Sequence, residues 1–578
     1  MVMNMFDSLS ELQKEIVFSK TDKSVVRACP GSGKTYSISA KFAYLMLNWD
    51  DKASGIAVIS FTNVAWREIE KQLDSNFETQ TPISYPHFLG TIDSFVNKFI
   101  FLPFGHLIMG CGCRPTLVGE PHGTWSGGKY YRYYNQYFDK ASFNIDDEVI
   151  WTGSSQSIPF KWNKNDGTIT NHVKNLEKVK LKYWQNGYAT QDDANYIALK
   201  LLQQFPQIAK AIIYRFPQFI IDEAQDTSAI HMEIIDNLVL SGLEKIMLVG
   251  DPDQAIFEWN DAEPELFIEK FTKWRKNSII LNENRRSSRQ ICDFTYNLSS
   301  LENISKSVNP EVKDYDFTPT ILTYNKNNLK PTIDNFLELC REHSISINET
   351  NVAIIYRSKN IYNQITEQDS RIHLKNPWIT ESRIAEELAK SKHMCENNQF
   401  KKGFKLIEKA FFKLINEVNF CSQNDLDELI EKVGIMKWRT NIYKFSSLLP
   451  QTNCTVSHWI EKTNKILREY KIGSDLNICW DNGDISIDDL YGDTNEINLG
   501  FRTGTVHSVK GETFEAVLLI LKKKGIGSYY KTMLNNGLRT TDREELRIAY
   551  VGLTRSRKLL VLAVPTEEDK QAWEKRLG

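Results

Sequence analysis

A chain of 578 residues is too long for one hydrophobic core and should divide into roughly three or four domains. Apolar residues make up 41% and charged residues 25%, ordinary globular usage that excludes a long disordered or collagen-like class. The formal net charge of -2 excludes an overall basic field, so nucleic-acid contact would have to come from a local groove. The opening MVMNMFDSLSELQKE carries early acidic residues and no apolar stretch of a secretory signal. Apolar runs such as AVLLIL and LLVLAV are strand-length and far short of a membrane span, so the expectation is a cytoplasmic protein with no membrane partner. Of nine cysteines only Cys111 and Cys113 lie close together, in a C-G-C spacing without the second ligand pair a zinc site needs. They read as reduced thiols.

Taken in chain order, short runs rich in Val, Ile and Leu recur between helical patterns: KSVVRAC, GIAVISF, QFIIDEA and KIMLVGD, then NVAIIYRS, AVLLIL and KLLVLAV. Strands of this kind are buried on both faces and indicate parallel sheets, giving an α/β fold with two sheet domains. Two stretches break the pattern, one aromatic and rich in Gly and Asn, the other polar and mostly helical; both read as insertions. The expected division is 1–105 and 206–275 for the first domain, around an insertion at 106–205. The second domain takes 276–365 and 496–578, around an insertion at 366–495.

After KSVVRAC comes ACPGSGKT, Ala28 to Thr35, and then the helical run YSISAKFAYLML. Strand, Gly-rich turn and helix is the context of a phosphate-binding loop. Gly31, Ser32 and Gly33 let backbone N–H groups close on phosphate oxygens, Lys34 reaches the outer phosphates, and the Thr35 hydroxyl faces Mg²⁺. Ala28 stands where the strict pattern has its first glycine. A second acidic site, Asp222-Glu223, closes the apolar run QFII. Adjacent acids at a strand end point to opposite sides, which suits Asp222 to hold the metal and Glu223 to activate a water.

The order of further segments is the strongest signal. ACPGSGKT, VISFTNVAWREIEKQL, GTIDSF, FIIDEAQDTS, LVGDPDQAIFEW, LNENRRSS, GTVHSVKGETF and LRIAYVGLTRS together resemble the UvrD, Rep and PcrA-type helicases of superfamily 1. The resemblance runs from about Leu9 to Pro565 and leaves out the two insertions. It implies two RecA-like P-loop domains, each carrying a mainly helical insertion, with ATP and Mg²⁺ bound between them. Carried over, Gln13 recognises adenine and Gln254 senses the γ-phosphate beside Asp251. Arg286 and Arg555 act as arginine fingers. Arg285 stands where relatives stack a tyrosine on the base. Gly511 belongs to the nucleotide site, but Glu512 is displaced by one position from the acid of the family's G-L-E-F. For DNA, Phe257 and Trp259 resemble the aromatic pair on which bases stack. Thr62, Asn63, Thr91, Ser94 and His507 would meet the strand, whereas Asp93 stands where many relatives have histidine.

The resemblance implies an ATP-driven translocase or helicase on single-stranded or partly duplex DNA, moving 3′ to 5′ as the family usually does. A second reading is the DNA-sensing ATPase subunit of an antiviral complex, as in Gabija-type systems, where a short UvrD-like protein accompanies an OLD-family nuclease. Only VPTEEDKQAWEKRLG follows the last motif, so no nuclease domain is expected in this chain. The basic-aromatic stretches GGKYYRYYNQYF (Gly127 to Phe138) and FKKGFKLIEKAFFKLI (Phe400 to Ile415) read as a packed insert and a helix with solvated lysines.

Overall fold

The computed structural model describes residues 6–19, 22–77, 79, 83–117, 184–189, 191–256, 262–325, 328–357, 361, 365, 377–378, 383–397, 399–418, 421, 423–479, 485–491, 499–522 and 530–577. The stretch Gly127 to Phe138 and the aromatic pair Phe257 and Trp259 lie outside these residues. The chain divides into two compact units. One is Met1–Val118 with Tyr137–Ile365 and Gly500–Gly578; the other is Gly119–Gln136 with Thr366–Leu499.

The first unit holds two large sheets and two short two-stranded ones among its described residues. Strands β1 (Lys23–Ala28), β2 (Ile56–Ser60), β3 (Phe88–Thr91), β4 (Gln218–Ile221), β5 (Lys245–Gly250) and β6 (Ile279–Leu281) form a six-stranded sheet in the order β3-β2-β4-β5-β1-β6. Every pairing in it is parallel. β2 is buried at all five positions and β1 at all but its first, as a sheet covered on both faces requires. Parallel neighbours need crossovers, and helices supply them: α2 (Lys34–Leu47) follows β1, α3 (Asn63–Phe77) follows β2, and α4 (Ala229–Leu240) lies between β4 and β5. With α1 (Glu11–Phe18), helices α2 and α3 enclose a core around Val26, Ile38, Phe42, Val58, Leu73, Ile220 and Val249. β6 pairs with β1 through Val26–Ile279 and Ala28–Leu281, so this sheet continues beyond the boundary expected at 276 and covers the edge that β1 would otherwise expose.

The second sheet has β7 (Thr320–Thr323), β8 (Val352–Tyr356), β9 (Arg502–Thr505), β10 (Phe514–Ile520) and β11 (Ser556–Val564) in the order β7-β11-β10-β8-β9, again all parallel. Helices α5 (Arg289–Tyr296) and α6 (Glu544–Leu553) pack on it, and their Ile291, Phe294, Leu546 and Val551 share a core with Val517, Leu519 and Leu560. The α/β reading of the sequence holds, with a fold of two parallel sheets.

The second unit is helical: Ile384–Glu396, Phe400–Ile415, Gln423–Val433, Ile435–Leu448, Val456–Tyr470 and the short Ile487–Tyr491. Its own core gathers Leu388, Ile407, Phe411, Trp438, Phe445 and Trp459. In the lysine-rich helix Phe400–Ile415, Lys402 and Lys405 are exposed as the helical spacing indicates. Lys413 departs from that reading: it is buried and paired with Glu387 at 2.7 Å. Among the described residues no helix is long and apolar enough to cross a membrane, and no group of His, Cys, Asp and Glu is disposed to hold a metal by itself.

Candidate nucleotide site

β1 ends at Ala28 and α2 begins at Lys34, so residues 29–33 must turn between them. The turn uses left-handed backbone at Gly31 (φ 69°) and Gly33 (φ 78°), which residues with a Cβ avoid. Gly31 is constrained twice, because a Cβ there would meet the Arg286 Cβ at 2.5 Å and Asn284 Oδ1 at 2.9 Å. Its carbonyl accepts from the Arg285 N–H at 2.9 Å. The loop is therefore pressed against the segment that carries Arg285 and Arg286. Ser32 is buried with its Oγ lacking a partner, and Thr35 opens α2.

Lys34 Nζ meets Glu223 Oε2 at 3.3 Å. Burial works against the lysine charge, but Glu223, Asp251 and Asp222 outweigh it and hold its pKa above the ordinary value. Glu223 sits at φ 50°, an uncommon conformation for a residue with a side chain and one that concentrates at functional sites. Burial opposes its charge too, and Lys34, Lys510 and the Gln225 amide together keep the carboxyl below its usual range. Asp222 is buried; its Oδ1 accepts from the Glu223 N–H at 2.8 Å, and its Oδ2 has no partner. Burial, with Glu223 alongside, raises its pKa. A lone buried carboxylate oxygen close to the Lys34 and Glu223 pair is an acceptor without a donor, and a divalent cation would complete it.

Gln13 lies in the first turn of α1 in a capping box: Gln13 N donates to Ser10 Oγ at 3.3 Å, and Ser10 N donates to Gln13 Oε1 at 3.1 Å. The amide is thus half used by its own helix. Only Nε2 remains, buried, without a partner and near Gly33, so it offers a single donor rather than the two-point contact expected of a glutamine on a base edge. The other end of α1 is held by Lys41 of α2, which donates to the carbonyls of Ile16 at 2.9 Å, Val17 at 3.3 Å and Ser19 at 3.2 Å. Arg285 reaches the same region, its Cδ close to Gly33, with its Nη2 on Glu283 at 3.1 Å and its Nε without a partner.

From the second sheet domain come two arginines, Arg555 buried and Arg286 half-buried. Arg555 Nη2 donates to Gln254 Oε1 at 2.7 Å, and the Gln254 amide nitrogen donates to Asp251. Arg286 Nη1 donates to the Thr554 carbonyl at 2.9 Å. Burial lowers the Arg555 pKa to about 10 against the pull of Glu223 and Asp251. Burial, then the like charge of Arg555, pushes Arg286 well down. Asp251 is raised to about 7 by burial and by neighbouring Asp253. Two guanidiniums that repel each other, Arg555 out of water and Arg286 half-buried, make a site suited to an anion.

Several participants escape sequence reasoning. Gln225 donates to Glu223 Oε2 at 2.5 Å and accepts from the Asp251 N–H at 2.9 Å, linking the ends of β4 and β5. Lys510 pairs with buried Asp226 at 2.8 Å across the two sheet domains. DEAQD and HSVKG contain both, but no spacing rule joins positions so far apart. Gly511 has φ 96° with open space where a Cβ would be, and Glu512 pairs with Arg502 at 3.1 Å.

Among the residues expected to meet a DNA strand, Thr62 Oγ1 accepts from the Ala65 N–H at 3.2 Å, Asn63 is exposed, and Thr91 caps the turn at Ser94. Asp93 accepts from Gln191, Asn195 at 3.1 Å and His231 at 3.2 Å. Burial opposes its charge, yet His231 and the two amides hold its pKa below the usual value. The carboxylate is thereby occupied within the protein, with a histidine of α4 beside it. His507 is half-buried, with its Nε2 3.1 Å from the Ile256 carbonyl.

The fold and site define a P-loop nucleotide-binding protein with two parallel-sheet domains, the second delivering cations to the phosphate loop of the first. Residues 9–107 and 139–274 match the model of the UvrD/REP helicase N-terminal domain. Over that part of its length the chain resembles the UvrD-like helicases. It is 26% identical over 312 residues to a probable DNA helicase II homolog of Mycoplasma capricolum, covering 50% of this chain and 41% of the relative. It is 23% identical over 374 residues to DNA helicase II of Haemophilus influenzae, covering 62% and 49%. The chain thus spans less than half the length of these two. Over 525 residues it is 23% identical to the Gabija protein GajB of Bacillus cereus, covering 88% of this chain and 89% of the relative.

Proposed function

We propose that this chain hydrolyses ATP in response to single-stranded DNA and converts opening and closing of its two sheet domains into movement along the strand. The observation that carries the reading is the pair of arginines delivered from the second domain: Arg286, half-buried against the Gly31 loop, and Arg555, fully buried beside Glu223 and Asp251 of the first. Phosphoryl transfer needs positioning and charge stabilisation more than covalent chemistry, so fingers supplied by another domain make hydrolysis depend on closure.

Phosphates entering the loop draw Lys34 from Glu223, and the released carboxylate orients and deprotonates the attacking water. Arg286 and Arg555 meet the charge that develops on the transferring phosphoryl group. Gln254, already bonded to Arg555, registers whether that group is present. Asp222 Oδ2 and Thr35 fit a magnesium ion, which when bound neutralises phosphate charge and orients the phosphates. Gln13 Nε2 and the Arg285 plane fit the base, which favours ATP. Thr62, Asn63, Thr91, Phe257 and Trp259 are the residues assigned to the strand, and the direction assigned is 3′ to 5′, as in relatives.

A second reading is favoured by the similarity to GajB, which extends over nearly the whole of both chains. In it the same ATPase senses DNA for an antiviral complex and hands it to a separate nuclease, of the OLD family. ATP turnover with and without oligothymidylate, beside Lys34→Ala and Glu223→Gln, tests the shared core of both readings. Strong stimulation lost in both variants is the expected result. Equal turnover with and without DNA in the unaltered protein would sink the motor reading. Stimulation appearing only when a nuclease partner is added would favour the second.

A further inference from the structure

Gln225 is wholly buried in the short turn Ala224–Asp226 that follows Glu223, and both ends of its amide are in use. Its Oε1 accepts from the Asp251 N–H at 2.9 Å. Its Nε2 donates to Glu223 Oε2 at 2.5 Å and to Asp226 Oδ2 at 3.3 Å. These partners fix which end is which: turned over, the amide would set a carbonyl against two carboxylates and an N–H against an N–H. Asp226 is held in turn, because the same Oδ2 accepts from Lys510 of the second sheet domain at 2.8 Å. Gly250, the last residue of β5, leaves the room this needs, since a Cβ there would lie 2.5 Å from Gln225 Oε1.

The bond to Asp251 alone would join the ends of β4 and β5. The two N–H groups serve something else, the carboxylates beside them. Glu223 is the one that needs support, with its backbone at φ 50° and its carboxyl at the centre of the site. Two donors reach that carboxylate, Lys34 Nζ at 3.3 Å and Gln225 Nε2, and both end on Oε2. Oε1 takes neither. Once phosphates draw Lys34 away, the Gln225 amide is the donor that stays on Oε2. A carboxylate held through one oxygen, by a side chain itself held to the backbone, keeps its other oxygen in a fixed direction.

We propose that Gln225 is the positioning residue of the catalytic base. It holds Oε2 of Glu223 so that Oε1 takes the proton of the attacking water, whose oxygen bonds to the terminal phosphorus as ADP leaves. The inference rests on the ATPase reading, which assigns Glu223 as that base.

The test uses the full chain with saturating oligothymidylate and compares Gln225→Met, Glu223→Gln and the double variant. In Gln225→Met kcat falls by about 100-fold, the usual result of a misplaced catalytic group, while the ATP KM and the affinity for a fluorescent non-hydrolysable ATP analogue stay within about twofold. Because Gln225 acts through Glu223, the double variant is slower than Glu223→Gln by no more than about twofold. An amide that only braces the fold gives the opposite pattern: analogue affinity falls with the rate, and the two losses multiply. Either that pattern or an unchanged kcat in Gln225→Met overturns the proposal. Should Gln225→Met fail to fold, Gln225→Glu decides. It keeps an acceptor for the Asp251 N–H but sets a carboxyl where two carboxylates had a donor, and an unchanged kcat there overturns the proposal equally. An unaltered protein that hydrolyses no ATP, with or without DNA, would instead remove the reading on which this one rests.

Discussion

The two units of this protein use burial for different ends. The helical unit spends it on apolar side chains: Trp438, Trp459, Leu388 and Phe411 fill its centre, and Lys413 is the one charged side chain among its described buried residues. The α/β unit buries Asp222, Asp226, Asp251, Asp253, Arg547 and Arg555 around one cleft. Removing a charge from water is costly unless something specific repays it, so a concentration of buried charge marks where stability has been given up for chemistry.

The sharpest way to break this contrast is to remove a buried charge. Arg555→Ala should lower hydrolysis by about 10³-fold, the usual scale for an arginine finger, with a thermal midpoint unchanged or raised because Arg286 loses a like-charged neighbour. A fall in stability to match the fall in rate would mean the charges are structural. The converse substitution lies in the helical unit. Trp438→Ala should cost about 3–5 kcal/mol of that unit's stability, seen as an earlier melting transition, with the ATP KM unmoved.

A smaller effect concerns pH. Burial brings the Lys41 pKa down from 10.5 to about 8. Between those values the unfolded chain holds the proton and the folded chain has released it, so stability should rise with pH across that window and be level below it. Lys41→Met should abolish the rise, read from thermal midpoints taken at about pH 7.5 and about pH 9.5. An identical slope in both proteins would mean that another group titrates there.

Much of the fold was legible because consecutive buried positions in IAVIS and VAIIY leave few alternatives to a sheet covered on both faces. The phosphate loop was legible for a similar reason: Gly31 and Gly33 occupy backbone that only glycine adopts freely. What escaped depends on partners distant in the chain. Lys41 and Lys413 look like solvated helix residues until the carbonyls of α1 and the carboxylate of Glu387 are placed beside them. Gln13 showed its side chain in the sequence but not that half of its amide caps its own helix. Arg547 and Asp253 carry no local pattern at all, since their partners come from the opposite domain.

Gly31 deserves a last consideration as a matter of clearance. The atoms that a side chain there would strike belong to Asn284 and to Arg286, the residue assigned as a finger. Even a methyl group would push that segment off the loop and displace the guanidinium it carries. The loop glycine is in that sense a clearance, and the absence of one carbon sets how near the second domain's cation can come.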